Sequence, residues 1–269
     1  MHFRNRKINL IGLSALVILL AVIIMVGIMY IQKSVYTSNL SSRAFNIGLT
    51  SSLASLDPAL IENHGQRLAA AAIYEGLVAY DESTKSIQPR LAKNWKYEND
   101  GKNLIIHLRK DVKFSNGKKL TANDVKASWE YNFTNAHDWA NISLYLSIAG
   151  SSAKLAGKSS EITGIKVLNP YKLQVTLLQP NAAFLSSLTN PAFWVMDLGE
   201  ALNPAPGTGP YLIKEKQTES LVLLKNDHYY RGQPRLSAII VTVFPDAEQA
   251  LKAYQAGKID LLDDIPAHE

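Results

Sequence analysis

The sequence predicts a mixed α/β protein that is preceded by one apolar segment long enough to cross a membrane. Strand patterns are present, as in residues 173–177, where Leu and Val alternate with Gln and Thr in the manner of a half-buried strand. Helix patterns are also present, as in the run that follows Asp246 and stops at Gly257. The third observation is an uncharged apolar run at residues 8–31.

The apolar run at residues 8–31 contains 24 residues and no charged side chain. At about 1.5 Å per residue, a helix of that length exceeds the roughly 30 Å hydrocarbon core of a bilayer. Basic residues in segment 1–7 precede the run, so the positive-inside rule predicts that this segment is cytoplasmic and that the chain after Lys33 lies outside. Residues 32–44 are rich in Ser, Thr and Asn and predict a short polar tether.

A cleaved signal peptide and a buried core helix are the alternatives for the apolar run. A signal peptide has an apolar core of only about 7–15 residues that ends at a small-x-small cleavage site. This run is longer, and only weak small-residue sites follow it. A helix of a soluble protein usually has a polar face, and the run has none. The sequence therefore favours an uncleaved single-pass anchor.

The charge balance and the lack of cysteine exclude several classes of function. The formal net charge is +5, but Arg4, Arg6 and Lys7 precede the apolar run. Removing these three from the 28 basic residues leaves 25, against 23 acidic residues. We therefore expect no nucleic-acid partner, which normally requires a clustered basic surface. The absence of cysteine excludes disulfides, thiol nucleophiles, Cys-ligated zinc and a cysteine-linked lipid anchor.

Local sequence chemistry justifies the elements of the folded part. Asp100-Gly101 is typical of a hairpin turn, because both positions favour positive φ. Thr121 and Asp124 form a capping-box pattern that opens a helix. Residues 136–160 match no pattern clearly. The predicted elements, in chain order, are a strand at 45–49, a helix at 66–77, strands at 95–98 and 103–109, a helix from 122 to about 133, a strand at 173–177, a short helix at 181–188, strands at 211–214, 221–225 and 239–244, a helix at 247–256 and a strand at 259–262.

No pattern in the sequence indicates catalysis, a metal or a cofactor. The G-x-S-x-G, H-E-x-x-H and P-loop motifs are absent. The six histidines show no metal-ligand spacing. Gly207-Thr-Gly209 lacks the third glycine of a dinucleotide fingerprint and leads into a strand, which indicates a structural turn. We therefore expect no enzyme and no cofactor.

A series of short motifs in fixed order resembles one family, the family 5 extracellular solute-binding proteins of ABC importers, the oligopeptide-, dipeptide- and nickel-binding group. The resemblance extends over residues 45–262. The motifs include Ser55-Leu-Asp-Pro-Ala59, Tyr74-Glu-Gly-Leu77, Pro89-Arg-Leu-Ala92, His107-Leu-Arg-Lys-Asp111, Phe114-Ser-Asn-Gly117, Gln179-Pro-Asn-Ala182, Gly207-Thr-Gly-Pro-Tyr211, Asn226-Asp-His-Tyr-Tyr230 and Ala256-Gly-Lys-Ile-Asp260.

The resemblance implies the first lobe of a periplasmic-binding-protein fold. On that basis residues 45–67 and 162–262 form a core domain, residues 68–161 form an inserted domain, and residues 263–269 are a truncated end. The family's second lobe would be missing. The implied function is to bind peptides or a related small solute outside the cytoplasmic membrane, for an ABC transporter permease. The alternative is a membrane-anchored one-lobe remnant or regulatory interaction protein that does not transport solute.

The resemblance also implies four ligand-binding residues. Glu62, Asn63 and His64 match a loop that meets the ligand main chain in the family, and a solvated loop is the alternative for His64. Trp139 matches an aromatic residue that lines the ligand cleft, and a core tryptophan is its alternative. An open half-site made by one lobe predicts weak binding, because enclosure between two lobes is lost.

Overall fold

In the computed structural model, the structure describes residues 18–19, 22–27, 44–199 and 204–264. The chain divides into two units, Met1–Ala44 and Phe45–Glu269. The strands are β1 Phe45–Leu49, β2 Val78–Asp81, β3 Ser86–Pro89, β4 Ala92–Glu98, β5 Asn103–Leu108, β6 Ile165–Asn169, β7 Lys172–Thr176, β8 Tyr211–Lys216, β9 Ser220–Lys225, β10 Ala238–Val243 and β11 Leu261–Leu262. The helices are α1 His64–Ala71, α2 Ala122–Asn135, α3 Trp139–Tyr145, α4 Ser151–Leu155, α5 Phe184–Ser187 and α6 Ala247–Gln255, with 3-10 turns at Pro58–Leu60 and Pro191–Phe193.

A five-stranded sheet in the order β11-β1-β10-β9-β8 contains both ends of the folded part. β1 is parallel to β10 and to β11, whereas β10, β9 and β8 are antiparallel. The apolar face of the sheet and small residues of α1 share one core, as seen for Ile47, Val241 and Ala70. Because β1 and β10 are adjacent and parallel, the long segment between them leaves this sheet and returns to it.

The connection between β1 and β10 contains a four-stranded sheet in the order β4-β5-β7-β6 and a separate β2-β3 hairpin. α2 packs against the four-stranded sheet in a second core that includes Trp129, Tyr145 and Phe193. The ring centroids of Tyr145 and Phe193 are 4.3 Å apart and stacked, and Trp129 meets Phe193 edge-on at 5.1 Å. This aromatic cluster connects α2 and α3 to the turn at Pro191–Phe193.

Two local predictions are confirmed in detail. At the hairpin between β4 and β5, Asp100 has φ of 51° and Gly101 has φ of 88°. At the start of α2, the Thr121 backbone N–H donates to Asp124 Oδ2 at 2.8 Å, completing the predicted capping box. Both structures form from adjacent residues and need no distant partner.

The helix predicted at residues 66–77 is wrong at both ends, since α1 spans His64–Ala71. The carbonyl of Ala72 accepts from Tyr211 N–H at 2.9 Å, and the carbonyl of Ile73 accepts from Gly209 N–H at 2.8 Å. These carbonyls therefore bond to the first residue of β8 and to the loop that precedes it, and not to a further helical turn. Tertiary contacts override the local helix pattern here.

Residues 136–160, which no sequence pattern assigned, form α3, α4 and their connections. Asp138 caps α3, because its Oδ1 accepts from Ala140 N–H at 2.9 Å. α4 follows Gly150, whose φ is 85°. Both helices are shorter than two full turns, so no amphipathic period is established in the sequence.

The division at residues 161 and 162 between an inserted and a core domain stays a prediction. β6 and β7 follow that point, and they pair with each other and, through β7, with β5. This pairing favours a boundary C-terminal to β7 for any experiment that separates the domains.

Most of the predicted anchor at residues 8–31, with the flanking segment 1–7 and nearly all of the tether at 32–44, lies outside the described residues. Residues 18–19 and 22–27 are helical. Within the part of the chain that is described, no helix combines the length and the apolar character that a membrane span requires.

Candidate functional site

An open cleft of about 600 Å³ lies between the segment that opens α1 and the start of α3. Both walls are polar at the cleft. The residues that line it on the α1 side are Ile61, Glu62, Asn63, His64 and Arg67, and those on the opposite side are Asp138, Ala140, Asn141 and Asn190.

Asn63 fixes the α1 side of the cleft. Its Oδ1 accepts from Gln66 N–H at 2.8 Å, which caps α1, and its Nδ2 donates to the carbonyl of Ser52 at 3.2 Å. The backbone N–H of Glu62 donates to Gln66 Oε1 at 2.8 Å. The loop is therefore held by its own bonds, while the side chains of Glu62 and His64 are exposed.

Two capping residues fix the opposite side. Asp138 bonds the first turn of α3, and Asn190 Oδ1 accepts from Ala192 N–H at 2.9 Å at the start of a 3-10 turn. Asp138 is exposed, and Asn190 is partly buried. Two carboxylates, one guanidinium and one imidazole thus belong to residues that line the same cleft: Glu62, Asp138, Arg67 and His64.

The structure brings three of the four predicted residues together. Glu62, Asn63 and His64 line the cleft, and Asn63 has the additional structural role of capping α1. Trp139 is 62% exposed and does not line the cleft, although its neighbours in sequence, Asp138 and Ala140, do. The alternative interpretation of Trp139 as a core tryptophan is wrong, because α3 turns this side chain to solvent.

Sequence reasoning missed Arg67, Asp138, Asn141 and Asn190. The i, i+3 relation of His64 and Arg67 could have identified Arg67, once a helix start at His64 was recognised. Asp138 precedes a helix and has an N-cap residue type, but α3 was not predicted. Among the described residues, no group of three or more His, Asp or Glu side chains is arranged to hold a metal ion.

A buried carboxylate with a raised pKa lies outside this cleft. Burial raises the pKa of Glu75 to about 7, although a hydrogen bond from Tyr229 and the charges of Arg231 and Arg90 oppose the change. Tyr229 donates its hydroxyl to Glu75 Oε1 at 3.1 Å. In the described part of the chain, Oε2 is buried without a hydrogen-bond partner.

Because the pKa of Glu75 is raised in the folded chain, we expect the free energy of unfolding to depend on pH. The folded chain binds this proton more tightly than the unfolded chain, so the stabilisation is present below about pH 4.5 and is lost as the pH rises through about 7. We expect urea denaturation to show a fall of the order of 3 kcal/mol in unfolding free energy over that window from this group. Glu75→Gln should remove the fall, because glutamine cannot ionise and still accepts from Tyr229.

Glu82→Gln is the matched control for this pH series. Glu82 pairs with Lys85 on an exposed surface, so its replacement should leave the pH dependence unchanged. An equal decline in the Glu75→Gln variant and in the unaltered chain would contradict burial of the carboxyl as the cause.

The five-stranded mixed sheet, the second sheet inserted between β1 and β10, and the polar cleft define the mixed α/β fold class of the periplasmic binding proteins. Burkholderia pseudomallei OppA has this fold, with a TM-score of 0.74 and 27% identity over 84% of this chain and 46% of that chain. The chain belongs to the bacterial extracellular solute-binding proteins, family 5, whose model, "family 5 Middle", matches residues 86–269.

Two relatives of the chain have names that indicate different ligands. The nickel-binding periplasmic protein of Escherichia coli (strain K12) is 31% identical over 73% of this chain and 37% of its own length. The dipeptide-binding protein of Lactococcus lactis subsp. cremoris (strain MG1363) is 26% identical over 95% of this chain and 48% of its own length. The chain therefore spans less than half the length of these relatives.

Proposed function

We propose that this chain is a solute-binding component of an ABC importer, acts outside the cytoplasmic membrane and binds short peptides in the cleft beside α1. The observation that supports a peptide is the mixed charge of the cleft. Glu62 and Asp138 offer carboxylates to a free ammonium group, and Arg67 offers a guanidinium to a free carboxylate. A short peptide has both groups at its two ends.

The amide groups of the cleft suit the middle of a peptide. Asn141 lies on α3 and faces the same cleft as Asn63. An amide side chain both donates and accepts hydrogen bonds, as a peptide bond does. The name of the Lactococcus relative, a dipeptide-binding protein, agrees with this assignment, and that of the Escherichia relative makes a nickel complex the second ligand to test.

We expect weak binding by the residues present. In the resembling family, hinge closure buries the solute between two lobes. The cleft beside α1 is open to solvent, so water contacts part of any peptide that is bound there. We therefore expect a Kd no tighter than about 1 mM for a tripeptide.

Calorimetry with the full chain tests this function. Unblocked trialanine should bind with a Kd near the millimolar range, and N-acetylated, C-amidated trialanine should bind at least about tenfold more weakly, since both charged ends are lost. A histidine complex of nickel is titrated in the same way, because one relative is named as a nickel-binding protein. Equal binding of blocked and unblocked peptide would contradict the charge argument, and a micromolar Kd would contradict the open half-site.

Arg67→Ala and His64→Ala locate the binding site. Arg67→Ala should weaken binding of the unblocked peptide by about tenfold and leave binding of the C-amidated peptide nearly unchanged. His228→Ala is the matched control for His64→Ala, because His228 is also exposed and does not line the cleft. Equal losses in both histidine variants would count against the cleft.

We also propose that residues 8–31 anchor the chain in the cytoplasmic membrane by a single pass. The 24-residue uncharged run and the preceding basic residues support this proposal. The intact mass of the membrane-associated protein distinguishes the alternatives. Retention of Met1 to Lys33 after alkaline extraction supports an anchor, and a mass that lacks them indicates a cleaved signal peptide.

A further inference from the structure

A second concave surface, of about 960 Å³, lies at one end of the four-stranded sheet. We call it the basic cleft. The basic and acidic residues that line it are Lys93, His107, Arg109, Lys110, Asp111 and Lys172. The lining therefore includes four lysine or arginine side chains and one carboxylate. The basic cleft shares no lining residue with the cleft beside α1.

Strand register brings part of the basic cleft together. His107 on β5 is the direct partner of Lys172 on β7 and of Asn94 on β4. Directly paired residues point to the same face of a sheet. The imidazole and the ammonium group thus come from adjacent strands of a rigid element, and their approach does not depend on a mobile loop.

Arg109 and Lys110 are positioned by aromatic residues. Arg109 Nε donates to the carbonyl of Arg90 at 2.7 Å, and its guanidinium carbon lies 5.5 Å from the centre of the Tyr230 ring. Lys110 Nζ lies 5.7 Å from the centre of the Tyr171 ring. These contacts restrict two long side chains before any ligand arrives and leave the cations uncompensated, which lowers the entropic cost of binding an anion.

The cations of the basic cleft lack ion-pair partners within the described residues. Lys118, by contrast, bonds to Asp124 at 2.8 Å and to Asp197 at 2.7 Å. In the part of the chain that the structure describes, no such salt bridge is formed by the four basic residues Lys93, Arg109, Lys110 and Lys172. Four clustered cations against one acid exceed what the near-balance of 25 basic and 23 acidic residues would produce by even distribution.

We propose that the basic cleft binds a phosphate-bearing anion. A phosphate monoester has about two negative charges and a phosphodiester has one, and both present several acceptor oxygens in a tetrahedral arrangement, so either can engage cations from different strands at once. A carboxylate has only two oxygens in one plane and would reach fewer of these cations. The volume of the cleft suits a small phosphorylated molecule. Such a group has two sources outside the membrane, a free phosphorylated solute and the headgroup of an anionic lipid.

Calorimetry with the full chain in a nonionic detergent tests the proposal. The probes are inorganic pyrophosphate, dihexanoyl-phosphatidylglycerol and dihexanoyl-phosphatidylcholine. We expect saturable binding of pyrophosphate or of the phosphatidylglycerol, and at least about tenfold weaker binding of the zwitterionic phosphatidylcholine, because its choline opposes the cations. Preference for pyrophosphate identifies a free phosphate, and preference for phosphatidylglycerol identifies a lipid headgroup.

The double substitution Lys93→Glu with Lys172→Glu should weaken binding of the preferred probe by about tenfold or more. Lys158→Glu with Lys214→Glu is the charge-matched control, since both lysines are exposed and outside the basic cleft. The control should change the Kd less than about twofold. Absence of binding by the unaltered chain, or equal losses in the two double variants, would overturn the proposal. Unchanged trialanine binding by the Lys93→Glu, Lys172→Glu variant would show that anion binding in the basic cleft is separate from the proposed solute function.

Discussion

Replacing Trp129 with alanine is expected to lower the free energy of unfolding by about 4 kcal/mol, because a large, fully buried side chain is lost. Trp129 also donates its indole N–H to the carbonyl of Phe193 at 2.9 Å. Its removal leaves that carbonyl without this donor inside the core, which adds to the cost. A typical domain has only about 5–15 kcal/mol of stability, so urea denaturation should show a large shift of the midpoint.

Trp139→Ala is the matched control, since the same atoms are removed from a side chain that is 62% exposed. It should change the free energy of unfolding by less than about 1 kcal/mol. Similar losses in the two variants would contradict the placement of Trp129 in the core and Trp139 at the surface.

Gly207→Ala is expected to destabilise the chain by about 3 kcal/mol or more, because the new methyl group has no space. A Cβ at this position would overlap the carbonyl oxygen of Ile73 and would lie 2.8 Å from the carbonyl carbon of the same residue. These are backbone atoms and cannot rotate away. Gly207 also accepts a hydrogen bond from Ser115 N–H at 2.8 Å, so movement of the loop has a cost of its own.

Gly232→Ala separates this clash from the general effect of adding a side chain. Gly232 has φ of 94°, but no atom lies within 4 Å of a Cβ built there. We expect this variant to lose only roughly 1–2 kcal/mol of unfolding free energy, because alanine is strained in a backbone conformation with positive φ. Thermal denaturation that ranks Gly232→Ala as the more damaging change would contradict the close approach of Gly207 to Ile73.

The parts of the fold that sequence predicts well are those fixed by neighbouring residues. The hairpin at Asp100-Gly101, the capping box of α2 and the cap of α6 each depend on a few adjacent side chains. At α6, Asp246 Oδ1 accepts from Gln249 N–H at 2.8 Å, as its position before the helix indicates. Such local chemistry is present in the sequence itself.

The parts that sequence misses depend on distant contacts. α1 ends at Ala71 because the next two carbonyls accept hydrogen bonds from Tyr211 and Gly209, and no local pattern reveals these distant partners. The strand predicted at residues 259–262 is present as the short β11, but its pairing beside β1, where Asp260 accepts from the Asn46 N–H at 2.7 Å, was not predicted.

The candidate site shows the same division. The resemblance placed Glu62, Asn63 and His64 in a ligand-facing loop, and they do line one cleft. Asp138 and Asn190 reach that cleft from segments far away in sequence. Their proximity results from the packing of α2 and α3 against the turn at Pro191–Phe193, which only the tertiary structure specifies.

Hydrogen–deuterium exchange of the full chain, with trialanine at about ten times its expected millimolar Kd, tests most directly whether the solute occupies the cleft beside α1. We predict slower exchange of backbone amides in residues 61–67 and 138–141 when the peptide is present, and unchanged exchange in β6 and β7. Protection confined to other segments, or no protection of either cleft wall at saturating peptide, would contradict the proposed binding site.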